Sequence, residues 1–179
     1  LKVDQVGEMQ PDSGLYPEYD PQLEQAMKEE TVAFIGEMLR TDEPLISLID
    51  SDWAMLNERI AKHYGIPGVE GNDFRRVALD KTATVRGGLL TQASLLNVTS
   101  NGTTTSPVVR GVFVLDRILG TPAPPPPPDV PAIEPDIRGA STINEQLAKH
   151  REISQCAACH AKIDPYGIGL EKFDVIGGW

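Results

Sequence analysis

Five consecutive residues near the C-terminal end hold the most specific chemistry in this sequence: Cys156, Ala157, Ala158, Cys159 and His160. This is the C-x-x-C-H spacing of c-type haem attachment. Two thiols separated by two residues in a helical turn can add to the two vinyl groups on one edge of a haem, and the next residue then projects toward the iron. Cys156 and Cys159 are therefore the candidate attachment points and His160 the candidate proximal ligand of one covalently held haem c. Axial ligation, burial and hydrogen bonds around the ligands would set its potential.

Other readings of the same residues stay open. A structural zinc site takes four protein ligands, and with two cysteines and three histidines in the chain it would have to recruit His63 or His150 beside His160. A thioredoxin-like dithiol belongs at the start of a helix that follows a strand, whereas here a helical pattern precedes the cysteines. A small disulfide or a pair of buried thiols leaves the adjacent histidine without a role.

An electron carrier needs a sixth iron ligand, usually Met or His, while an open position suits ligand binding or peroxide chemistry. His150 lies six residues before Cys156, close enough for a turn to bring it to the opposite haem face; packing against the haem edge is the plainer role. Met27 and His63 are the other candidates. Core filling is the ordinary fate of a methionine at helical spacing, and a histidine near a helix C-terminus favours the dipole there. Arg86 and Arg110 are candidates to pair with haem propionates, against the commoner structural ion pair. Asp164 and Pro165 read as the start of a turn, and Gly167 and Gly169 as positions where backbone can approach a flat ligand. Phe173 and Trp179 read equally as pocket lining or as aromatic core.

The elements that must position these groups read as mainly helical. Asp20 and Pro21 are a cap and first-turn pair for a helix to Leu39, with Leu23, Met27, Phe34 and Met38 near one face. A second helical region starts near Asp42 with Pro44, restarts around Ser51, and runs through Leu56, Ile60 and His63 to a stop at Gly65. Residues 74–79 and 89–98 are possible short strands. Ser106 and Pro107 open a third helix that buries Val108, Val112, Leu115 and Leu119 and ends at Gly120. Thr142 and Glu145 form a capping box for a helix presenting Ile143, Leu147 and His150.

Thr121 to Pro135 holds 8 of the 15 prolines, with five in a row at Pro124 to Pro128. Such a run favours polyproline II, a semi-rigid spacer. The composition thus divides the chain into a helical cover or docking region, 1–120, a proline-rich linker, 121–136, and a haem-binding segment, 137–179, which together are also compatible with one compact unit.

The 179 residues include 16 basic and 26 acidic side chains, a formal net charge of -10. That balance argues against electrostatic binding of nucleic acid or anionic lipid and makes a basic protein the favoured redox partner. No run approaches the length of a transmembrane helix. With Leu1 in place of a start methionine and no secretory apolar stretch, the sequence reads as a processed product or an excised piece.

Several stretches, in order, resemble the large multidomain cytochrome c-like proteins of planctomycetes and related bacteria, whose tandem segments are mostly domains of unknown function. They are Leu23 to Thr31, Leu56 to Ile66, Arg86 to Leu95, Thr105 to Gly111, the proline run, and a C-terminal block. That block comprises His150, Arg151, Cys156 to His160, Ile163 to Pro165, Gly167, Leu170, Glu171, Phe173, Asp174, Gly177 and Trp179. The resemblance spans nearly the whole chain. It implies a bacterial protein exported across the cytoplasmic membrane, where c-type haem is attached, working with further modules or subunits. It implies no particular reaction, and a haem enzyme or a haem-free binding module remain the alternatives to an electron carrier.

Overall fold

The computed structural model describes residues 1–124, 145, 147, 148, 151 and 154–179. His150, most of the proline run and most of the helix expected after Thr142 lie outside the described residues. The described chain is mainly helical, with one two-stranded sheet, and forms two compact units. One comprises Leu1–Thr105 with Lys172–Trp179, the other Ser106–Glu171. These boundaries differ from the compositional ones at the proline run, because packing groups residues by contact and not by chain order.

In the first unit, helix α1 spans Pro21–Thr41. The Asp20 carboxylate accepts from the Leu23 amide at 2.7 Å, satisfying one of the free N–H groups of the first turn. Leu23, Met27, Phe34 and Met38 are all buried, as their spacing predicts. Strand β1, Trp53–Leu56, pairs antiparallel with β2, Arg75–Ala78, in the register Trp53↔Ala78 to Leu56↔Arg75. Helix α2 covers Glu58–Tyr64; Asn57 caps it by accepting from the Ile60 amide at 3.0 Å, and Gly65 ends it at a positive φ of 69°.

Here the structure corrects two expectations. The stretch read as helix between Ser51 and Leu56 is strand β1, because the Asn57 cap fixes the helix start after it, and three of its four residues are buried, which hides the alternation of a half-exposed strand. Conversely, 89–98 is not a strand but a short 3-10 turn, Leu89–Thr91, followed by helix α3, Ala93–Val98. Leu89, Ala93 and Leu96 fall on a helical repeat and are buried. The buried hydroxyl of Thr31 on α1 meets Gln92 Oε1 and Ser94 Oγ, both at 2.6 Å. The core joins α1, α2 and α3 to Val175 and Ile176 of the last segment.

In the second unit, helix α4, Pro107–Phe113, continues as a π-helical turn through Ile118. Its buried face differs from the expected one. Pro107, Arg110, Gly111, Phe113, Val114 and Leu115 are buried while Val112 and Leu119 are exposed. The reason is backbone contact with helix α5, Ser154–Ile168. A methyl group placed on Gly111 would strike the Ile163 carbonyl, and one on Gly167 would fall on the Pro107 carbonyl. The helices cross as closely as glycine permits.

Candidate functional site

Cys156, Cys159 and His160 all stand on α5. Cys156 is buried, Cys159 half-buried, and both thiols are free. His160 is mostly buried, with 15% of its side chain exposed. One helical turn further along, Asp164 is fully buried, and its Oδ1 lies 2.8 Å from His160 Nδ1. Residues four apart share a helix face, so this contact follows directly from the His-x-x-x-Asp spacing.

The contact decides what His160 can do. Imidazole has two nitrogens, and a hydrogen bond from Nδ1–H to a carboxylate leaves the Nε2 lone pair as the electron donor. Metal-ligating histidines regularly have this kind of outer partner. Asp164 Oδ2 makes no hydrogen bond among the described residues and faces Arg151 Nε at 3.7 Å. Asp164 and Pro165 are not the start of a turn; α5 runs through both to Ile168. Gly167 serves the α4 crossing, where the Pro107 carbonyl occupies the space a side chain would take.

The arginines read as propionate partners have other occupations. Arg86, buried in the first unit, donates to the Thr91 carbonyl at 2.8 Å and the Gly177 carbonyl at 2.5 Å. Its guanidinium lies 3.5 Å from the centre of the Tyr64 ring. Arg110, in the second unit, is 1% exposed and donates to the Leu170 carbonyl at 2.6 Å.

The candidate distal ligands are placed as follows. Met27 has no exposed surface and packs among Leu23, Leu56, Ile60 and Ile176. His63 shares its Nε2 with the Ile176 carbonyl at 2.7 Å, and burial, with Arg86 as a smaller influence, holds its pKa below the ordinary value of 6.5. A neutral His63 donating from Nε2 fits both facts. His150 lies outside the described residues. Met27 and His63 belong to the first unit and His160 to the second. Phe173 is buried in the first unit and meets the exposed Trp179 edge-on, ring centres 4.7 Å apart.

Residues 86–179 match PSCyt3, described as a protein of unknown function (DUF1588), and residues 1–66 match PSD4, described as a protein of unknown function (DUF1592). The chain belongs to the PSCyt3 family. Both domains are known in cytochrome c-like multidomain proteins. No curated protein and no solved structure matches the chain.

The PSCyt3 match contains all of α4 and α5, and with them the Cys156–Cys159–His160 set and its Asp164 partner. Among the described residues no three His, Cys, Asp or Glu side chains converge as a metal cage. A haem asks only one imidazole of such a set, whereas tetrahedral zinc asks four ligands. The residues present therefore fit a c-type haem: two free thiols at the right spacing and an imidazole whose Nδ1 is held by a buried carboxylate. Sequence reasoning missed the role of Asp164, although its signal, a carboxylate four residues after the histidine in a helical segment, was present. No helix among the described residues is long and apolar enough to cross a membrane.

Proposed function

We propose that this PSCyt3 protein is a c-type cytochrome that transfers electrons outside the cytoplasm. Cys156 and Cys159 would hold the haem through thioether sulfurs, and His160 would ligate its iron. The observation that carries the reading is the 2.8 Å contact from His160 Nδ1 to the buried Asp164 carboxylate, the kind of outer partner that metal-ligating histidines regularly have. When bound, haem supplies a one-electron iron couple. The protein's part would be to hold the haem through its thiols, to orient the His160 imidazole and, by its acidity, to favour docking of a basic redox partner.

A second reading, a haem enzyme with an open distal position, draws support from Met27 and His63. The thioether of Met27 is enclosed in core, and Nε2 of His63 is engaged by a backbone carbonyl. The full chain, produced in a host with c-haem maturation, tests both. A Soret band that stays with the polypeptide after denaturation supports the cytochrome reading, and its absence refutes it. Carbon monoxide leaving the reduced spectrum unchanged favours the carrier; rapid binding favours the open-site enzyme.

A further inference from the structure

We infer that Asp164 is a positioning residue that fixes the tautomer of His160 and lends its ring negative charge, giving this chain a low-potential haem. The inference rests on the reading of His160 as an iron ligand and deepens it.

Asp164 sits at zero exposure, where solvent cannot screen its charge, so an interaction across 2.8 Å is felt far more strongly than at the surface. Its Oδ2 makes no hydrogen bond among the described residues, and the facing cation, Arg151, stands at 3.7 Å, beyond hydrogen-bond length. The carboxylate's charge is therefore shared chiefly with the His160 N–H. A proton drawn toward a carboxylate leaves more electron density on the ring, and an electron-rich axial ligand stabilises ferric over ferrous iron. Outer partners of this kind orient the ring and raise the ligand's basicity. Arg151, with 37% of its side chain exposed, is placed to temper that charge.

The test is the midpoint potential of the holoprotein in wild type, Asp164→Asn and Arg151→Gln. Asn keeps an acceptor oxygen and the side-chain shape but removes the charge. The expected result is covalent haem retained, with the ferric-to-ferrous equilibrium of Asp164→Asn shifted about tenfold toward ferrous, on the order of 59 mV upward for one electron. Arg151→Gln shifts it downward. An unchanged potential in Asp164→Asn with haem retained overturns the inference. Should that variant fail to fold, Arg151→Gln decides alone, since the absence of a downward shift overturns it equally. Nitrogen NMR of the haem-free full chain supplies a readout independent of the iron: the Nδ1–H tautomer of His160 supports the assignment, and a dominant Nε2–H tautomer overturns it. A wild-type protein that takes up no haem sinks the cytochrome reading instead, and the tautomer measurement still judges what Asp164 does to His160.

Discussion

Replacing Glu30 with Gln should remove most of the alkaline sensitivity of the first unit. Glu30 is 1% exposed on α1, and its Oε2 accepts from the Tyr64 hydroxyl at 2.6 Å. The same Tyr64 oxygen accepts from the Ala93 amide at 2.8 Å. Burial pushes the Glu30 carboxyl from its ordinary 4.5 up to about 8, against smaller opposing effects of the Tyr64 hydrogen bond and the Arg86 charge. Burial also holds the Tyr64 phenol well above its ordinary value, with Glu30 adding to the effect, so Tyr64 does not titrate in the same window.

The sign follows from linkage. Folded protein keeps the Glu30 proton to a higher pH than unfolded chain does, so its contribution is fully present below about 4.5 and lost as pH rises through about 8. At about 1.4 kcal/mol per pH unit, the loss amounts to a few kcal/mol, with roughly 5 kcal/mol as its ceiling. Gln retains an oxygen for Tyr64 and carries no charge. Urea denaturation followed by circular dichroism at pH 5, 7 and 9 should show the two proteins similar at pH 5 and the variant more stable by a few kcal/mol at pH 9. His63, held below its ordinary value by burial, contributes stability that is lost as pH falls, but it does so in both proteins and cancels in the difference. Parallel stability curves for wild type and Glu30→Gln would refute the reasoning.

Gly167→Ala puts a methyl on the Pro107 carbonyl and should cost about 1–3 kcal/mol by overpacking, read as a lower urea midpoint. In the last segment, Asp174 Oδ1 accepts from the Ile176 amide at 2.9 Å and the Gly178 amide at 2.7 Å. Asp174→Ala should destabilise the protein by roughly 1–3 kcal/mol, measured by the same denaturation. Loss of both thiols in Cys156→Ala/Cys159→Ala should make haem extractable by acidified acetone, while either single variant should retain it by one thioether; extraction from wild type would contradict covalent attachment. Finally, the affinity for a basic redox partner should fall as ionic strength rises, because the net charge of -10 steers the encounter. Salt-independent binding would remove that role.

The parts legible in the sequence are those governed by neighbours along the chain. Asp20 and Pro21 start α1 and Gly65 ends α2 through interactions within one turn, so residue type and spacing suffice. The same holds for the His160-x-x-x-Asp164 pair, legible once a helix is granted across Pro165. What stayed hidden depends on burial from several sides. Strand β1 and helix α3 are covered on most faces, so hydrophobic periodicity, which records a boundary between core and water, has little contrast to show. The exposed Val112 and Leu119 and the buried Arg110 follow from a glycine-mediated crossing of two helices far apart in the chain.

By itself, then, the sequence determined the helical class, the caps, the acidic charge and the C-x-x-C-H spacing, because each is a property of composition or of a few adjacent residues. Only the tertiary structure decided that Arg86 and Arg110 bind backbone carbonyls, that Met27 is core, that Nε2 of His63 is engaged by Ile176, and that Asp164 is wholly buried behind His160. A long polar side chain has many possible partners, and desolvation selects among them only when distant segments close around it.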